Sequence, residues 1–251
     1  MNPGNTLPQV LNQEESWCLY NQCAQDFLQQ IPDNHIDLVL IDPPYLISRS
    51  TGFQSGQNPD FDRLKVSMDF GTWDSTVEFS EEDLQQILTE CYRLLRKGGT
   101  LICFFDLFKI TTLKNMLESS KFKQIRFLEW IKTNPVPLNQ SVNYLTNARE
   151  IALLGVKVGK ATFHSKYDNG IYHYPIEHHK GRFHPTQKNL HLIEELIQKH
   201  SNPGDIVLDC FSGSGTTAAA SLNQERRFVG CELNPEYFQK SYERLQQIRG
   251  I

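Results

Sequence analysis

The chain contains no run of about 18 or more apolar residues, so no ordinary membrane-spanning helix is expected. Hydrophobic residues still make up 39% of its 251 positions, enough for a sizeable core. The opening residues, Met1-Asn2-Pro3-Gly4-Asn5, lack the charged-then-apolar order of a secretory signal. The six cysteines, at 18, 23, 91, 103, 210 and 231, are scattered. Cys18 and Cys23 have no second close pair, and His178, His179 and His184 have no cysteine or acid at ligand spacing. No metal site is therefore expected. Cys103, Cys210 and Cys231 sit in or beside strand-like runs and read as reduced core thiols, which suits a cytoplasmic protein. Positive charge is not in excess either: the net charge is −4. There is no internal repeat and no low-complexity segment. This length fits one α/β domain spanning 1–251.

What is present begins with Asp42-Pro43-Pro44-Tyr45. It follows the apolar run Ile36 to Ile41, which reads as a buried parallel strand. Each proline fixes its own φ and has no N–H to donate, so the corner is rigid and keeps its carbonyl oxygens as acceptors. The Asp42 carboxylate is a second acceptor and the Tyr45 ring a flat face. Two acceptors and a stacking surface suit a planar base that carries an amino group. A Pro-Pro turn capped by Asp is the plainer reading, and these residues alone leave both open.

A second stretch runs from Ile206 to Thr217 as strand, glycine turn and helix start, with Asp209, Phe211, Ser212, Gly213, Ser214, Gly215 and Thr216 at its centre. It has no Gly-Lys-Ser/Thr and so no lysine for a nucleoside triphosphate. Ala218 follows Thr217, so the third glycine of a dinucleotide fingerprint is also missing. Glycines here let a ligand approach the backbone closely. The helix start offers N–H groups to a carboxylate. Glu232 ends the next strand, where an acid can accept ribose hydroxyls.

The two stretches in this order resemble the beta group of amino-group DNA methyltransferases, and the resemblance covers nearly the whole chain. In that family Asp-Pro-Pro-Tyr is the catalytic motif and Phe-x-Gly-x-Gly the S-adenosylmethionine (SAM) loop. The resemblance implies a Rossmann-like fold: a circularly permuted, seven-stranded, mostly parallel sheet with helices on both faces. It implies catalytic roles for Asp42, Pro43, Pro44 and Tyr45. It implies cofactor contacts for Asp209, Phe211, Ser212, Gly213, Ser214, Gly215, Thr216 and Glu232. His184-Pro185-Thr186-Gln187-Lys188 resembles a further cofactor motif, which adds His184 and Thr186 near the methionine carboxylate. The implied activity is site-specific methyl transfer from SAM to the N6 amino group of a flipped-out adenine in DNA, in a restriction–modification setting. Cytosine-N4 methylation stays open, as does a catalytically silent DNA-binding regulator. Asp rather than Ser at position 42 favours adenine, and the intact motifs favour an enzyme. A homodimer is left open. Cys23 stands where the family usually carries an acid, with Asp26 the nearest one.

Two further segments concern DNA. The stretch 46–75 has little periodicity, leaves the catalytic corner and is expected to border the substrate, with Arg49, Arg63 and Lys65 available to phosphates. Between Val156 and His191 lie Lys157, Lys160, Lys166, Lys180, Arg182 and Lys188 against only Asp168 and Glu177. A locally basic stretch on an acidic protein is an electrostatic footprint for phosphate. The stretch from Lys157 to Lys188 is expected to carry phosphate contacts, chiefly through Lys166, Lys180 and Arg182. Segment 157–183 is expected to be a small target-recognition element.

Overall fold

In a computed structural model, residues 5–44, 79–135, 145–177 and 187–248 are described. The elements in chain order are α1 (Leu7–Leu11), β1 (Trp17–Asn21), α2 (Ala24–Gln29), β2 (Ile36–Ile41), α3 (Glu81–Leu94), β3 (Leu95–Phe105), a single 3-10 turn (Leu107–Lys109), α4 (Ile110–Ser119), β4 (Lys123–Lys132), β5 (Arg149–Val156), β6 (Ile171–Tyr174), α5 (Leu190–His200), β7 (Ile206–Asp209), α6 (Thr216–Asn223), β8 (Arg227–Glu232) and α7 (Pro235–Ile248).

The strands form one sheet in the order β1-β8-β7-β2-β3-β5-β4-β6. β5 runs antiparallel to both of its neighbours, and the remaining pairings are parallel. Alternation along β2 divides the core into layers. Ile36, Val39 and Ile41 face a cluster that includes Phe27, Leu28, Leu84, Ile87, Leu88 and Leu117 from α2, α3 and α4. Leu38 and Leu40 face the other way, against Leu192, Ile193, Leu196 and Ile197 of α5. A third cluster packs Phe238, Tyr242 and Leu245 of α7 onto Trp17, Leu19 and Phe228.

Helix α3 shows how sequence dictates one element. Ser80 caps it by accepting a hydrogen bond from the Asp83 amide, and the Asp83 carboxylate returns one from the Ser80 amide. Such a cap contributes about 1 kcal/mol. Leu84, Ile87, Leu88, Cys91 and Leu94 are fully buried. At roughly 1.5–3 kcal/mol for each large side chain, the stripe outweighs the cap and decides the helix's place.

The helix stops at Leu94 and Leu95 already belongs to β3, so Gly98-Gly99 lies inside the strand. At Gly98, φ is +80°, and a Cβ would meet the Lys160 carbonyl oxygen at 2.3 Å. The sheet has eight strands, not seven: β6 lies within a stretch without clear periodicity. It is a four-residue edge strand in which Tyr172 and Tyr174 face the core while the apolar Ile171 is exposed, so hydrophobicity does not report the alternation. Helix α1 is a further element, short but with Leu7, Val10 and Leu11 at helical spacing against the core.

Candidate active site

β7 leads through α6 to β8 on one side, while β2 leads to β3 on the other. The chain therefore diverges between β2 and β7, and a crevice opens outside their carboxyl ends. Asp42 follows β2 and Asp209 ends β7, so both sequence motifs arrive at this crevice. Pro43 is buried, while Asp42 and Pro44 are half-buried. Tyr45 lies outside the described residues.

Asp42 does not stand alone. Lys188 Nζ donates to its Oδ2 at 2.5 Å and lies 2.9 Å from Glu150 Oε2 on β5. Glu150 Oε1 in turn meets Lys132 Nζ of β4 at 2.8 Å. The Lys188 ammonium sits 4.9 Å above the Phe104 ring, and its side chain is 8% exposed. Desolvation pushes the Glu150 carboxyl up, but the two ammonium groups outweigh it and hold the group below its ordinary value.

The glycine turn is tied down from both sides. Gly213 and Gly215 have φ of +48° and +70°, a region that favours glycine. The Gly213 amide donates to Glu232 Oε2 at 2.7 Å, and the Asn234 amide to Oε1 at 2.8 Å. The Phe211 amide donates to Asp209 Oδ1 at 2.9 Å. From α7, Ser241 Oγ donates to the Gly213 carbonyl at 2.5 Å, and Arg244 donates to the Ser214 carbonyl at 3.0 Å. Ser214 Oγ and Thr216 Oγ1 lie 2.9 Å apart. The Phe211 ring meets Phe79 edge-on at 5.7 Å. Sequence reasoning missed Ser241 and Arg244. A fully buried serine inside the apolar stripe Phe238, Tyr242 and Leu245 was the available signal.

Burial pushes the Asp209 carboxyl up to about 7, with Asp42 and Glu232 adding repulsion. Burial likewise raises Glu232, partly offset by its backbone donors. Acids crowded at one edge favour a ligand with positive charge. Among the described residues the buried Ser212 Oγ has no hydrogen-bond partner. A glycine cradle, an unpartnered hydroxyl and an acidic edge fit the sulfonium, ammonium and ribose of SAM. Cys23, beyond the end of β1, caps α2 in the place of the usual acid, and burial raises its thiol.

The basic stretch is partly corrected. Lys157 turns inward, donating to Asn34 Oδ1 at 2.8 Å and to the Arg93 and Leu95 carbonyls at 3.0 and 2.7 Å. Lys188 is buried against Asp42 and Glu150. Each ammonium is already engaged by carboxylate, amide or carbonyl oxygens within reach. Lys166 is exposed. Arg49, Arg63, Lys65, Lys180, Arg182, His184 and Thr186 lie outside the described residues. What is described of 157–183 is held to α5: Lys199 Nζ lies 2.6 Å from both Asp168 and Glu195, and the Tyr174 hydroxyl donates to Glu195 at 2.6 Å. Among the described residues no helix is long and apolar enough to cross a membrane.

Comparison with known proteins agrees with this geometry. The family model for N6/N4 methyltransferases, described as DNA methylase, matches residues 36–243. The Type II methyltransferase M2.DpnII of Streptococcus pneumoniae is 31% identical, with 88% of this chain and 86% of the relative covered. M2.MboI of Moraxella bovis, also a Type II methyltransferase, is 29% identical over 97% of this chain and 93% of its own. A crystal structure of M1.HpyAVI with SAM superposes with a TM-score of 0.65 at 27% identity, covering 91% of this chain and all (100%) of that one. The cytosine-N4-specific PvuII methyltransferase shares the fold at 16% identity, with a TM-score of 0.69 over 93% of this chain and 91% of that one. The chain belongs to the N6/N4 family of DNA methylases.

Proposed function

We propose that the protein transfers a methyl group from SAM to the N6 amino group of adenine in DNA. The observation that supports this reading is the parallel pairing of β2 with β7, the strands that lead into Asp42 and into the turn with Gly213 and Gly215. The relatives M2.MboI and M2.DpnII are Type II methyltransferases, which supports the restriction–modification setting. Six free thiols support a cytoplasmic location. The whole chain serves as one methyltransferase domain, with 46–75 bordering the substrate and 157–183 as a small target-recognition element.

The residues divide the work as follows. SAM, when bound, would supply the electrophilic methyl group, with S-adenosylhomocysteine as the leaving group and one amino proton released to solvent. Glu232 and the glycine turn hold its ribose and methionine portions, with Asp209, Phe211, Ser212, Ser214, Thr216, His184 and Thr186 completing the cradle. Adenine's amino nitrogen is a poor nucleophile because its lone pair is delocalised into the ring. Acceptance of its two N–H bonds by the Asp42 carboxylate and the Pro43 carbonyl favours a pyramidal nitrogen whose lone pair faces the methyl group. Pro44 fixes the corner, and Tyr45 stacks on the base. Alignment of this kind supplies up to about 7–11 kcal/mol of a barrier. The acceptors also stabilise positive charge as it develops on nitrogen. The base must leave the duplex first, at a cost of a few kcal/mol, roughly. Arg49, Lys166, Lys180 and Arg182 contact the DNA backbone.

The test is incubation of purified protein with methyl-labelled SAM and DNA from a methylation-free host, followed by nucleoside analysis. N6-methyladenine is expected. N4-methylcytosine would overturn the choice of base, and unlabelled DNA would overturn the activity.

A further inference from the structure

Lys188 closes the stretch His184-Pro185-Thr186-Gln187-Lys188, yet its buried ammonium is held by the carboxylates of Asp42 and Glu150. Its ammonium joins the carboxylate of Asp42, beyond β2, to Glu150 on β5, and Glu150 passes the contact on to Lys132 on β4. The chain of charges crosses the carboxyl edge of the sheet and runs beside the Phe104 ring of β3. A charge-assisted bond of 2.5 Å to Oδ2 fixes the rotation of the carboxylate about its Cβ–Cγ bond, and with it the direction in which Oδ1 points.

The surroundings show why such a cation is needed. Beside Asp42 stand Asp209 on β7 and the Cys103 thiol on β3, with Glu150 on β5 reached through Lys188 and Glu232 on β8 next to Asp209; Lys188 and Lys132 are the cations. Burial and like charge both act to protonate a carboxylate in that setting. A protonated carboxyl gives up acceptor capacity, and the mechanism asks Asp42 to accept.

We infer that Lys188 is the positioning residue of the catalytic corner: it holds Asp42 ionised and oriented as the acceptor for the substrate amino group, with Glu150 and Lys132 keeping the lysine in place. The inference rests on methyl transfer at Asp42. Ionisation is the half that a purely structural role does not explain. A structural lysine would affect turnover equally at every pH.

The experiment measures kcat against pH from labelled SAM and unmethylated DNA, for wild type, Lys188→Met, Lys188→Met/Glu150→Gln and Lys188→Arg, with SAM affinity measured calorimetrically on each. The double variant removes one charge of each sign and guards against misfolding of the single one. Both neutral variants are expected to lose activity on the acid side, the acid limb moving up by about one pH unit or more, with partial recovery at high pH and wild-type SAM affinity. Lys188→Arg keeps the charge and is expected to keep the wild-type limb at reduced kcat. A folded neutral variant whose limb stays at the wild-type pH overturns the inference, as does an upward shift in Lys188→Arg. Wild-type protein that labels no DNA at any pH overturns the activity instead, which separates the two failures.

Discussion

The backbone N–H of Gly213 donates to Glu232 Oε2 at 2.7 Å, joining the turn after one strand to the acid that ends the next. The same carboxylate accepts from the Asn234 amide at 2.8 Å. One side chain therefore sets the shape of the turn, and in the proposed mechanism the same carboxylate offers oxygens to the ribose. Replacing it by alanine removes two charge-assisted bonds, each worth about 1.5–3 kcal/mol. Glu232→Ala is expected to lower both SAM affinity, by tenfold or more (about 1.4 kcal/mol per decade), and the thermal midpoint of the unliganded protein. Calorimetric titration and a thermal melt check this. Unchanged melting with lost affinity would mean that the carboxylate serves the ligand alone.

Asp42→Ala is expected to abolish methylation while SAM still binds. Loss of one positioned partner for developing charge costs on the order of 10²–10³ in turnover. The measurement is single-turnover methyl transfer beside a SAM titration. Lost SAM affinity with preserved turnover would reverse the assignment of Asp42.

Salt dependence separates the lysines that face DNA from those that do not. Lys166→Ala/Lys180→Ala/Arg182→Ala is expected to flatten the slope of log affinity against log salt by about 0.9 for each duplex-DNA phosphate that the variant no longer neutralises. Lys157→Ala should leave that slope alone, because its ammonium serves Asn34 and the Arg93 and Leu95 carbonyls. Its effect should be on thermal stability. A wild-type slope in the triple variant would remove this segment from the DNA face.

Asp209 predicts a pH effect on the unliganded fold. Its folded value is about 7, raised first by burial and then by Asp42 and Glu232. Unfolded, an aspartate titrates near about 3.9. Between these values the folded state binds the extra proton, so this group favours the fold at low pH and that contribution is lost as pH rises toward 7. His200, lowered by burial to about 4, acts in the opposite direction over part of the range. The observable is therefore the difference between wild type and Asp209→Asn. The variant should gain relative stability from pH 4 to 7 and level off above, as read by denaturant melts. A difference independent of pH would show that Asp209 stays ionised.

Much of this architecture is legible in the sequence because it rests on short-range patterns. The apolar runs before Asp42 and Asp209, the Ser80 cap and the Leu84–Leu95 stripe each announce their element. The resemblance to permuted methyltransferases then gives the adjacency of β2 and β7. β6 was not legible, since in a four-residue edge strand with Tyr172 and Tyr174 facing the core and the apolar Ile171 exposed, hydrophobicity does not report the alternation. The roles of Lys157 and Lys188 were not legible either. Counting charges along a segment shows how many cations there are but not which acceptors long-range folding brings to them. Asp42 lies 146 residues from Lys188 in the chain. Asn189 caps α5, its side chain accepting from the Leu192 amide.

The strand order has a consequence for synthesis on the ribosome. β1, the first strand made, pairs with β8, the last, and β2 waits for β7 on its cofactor side. A nascent chain that has not yet released Ile206–Glu232 carries the acceptor corner with that flank unpaired. Pairings this distant in sequence close slowly, and open edges meanwhile invite wrong partners. The permutation that brings two motifs together thus makes folding wait for the chain's final stretch. Ribosome-bound chains stalled before Ile206 should be cleaved readily by protease, and full-length released chains should resist; equal resistance would show that the early strands find shelter without β7 and β8.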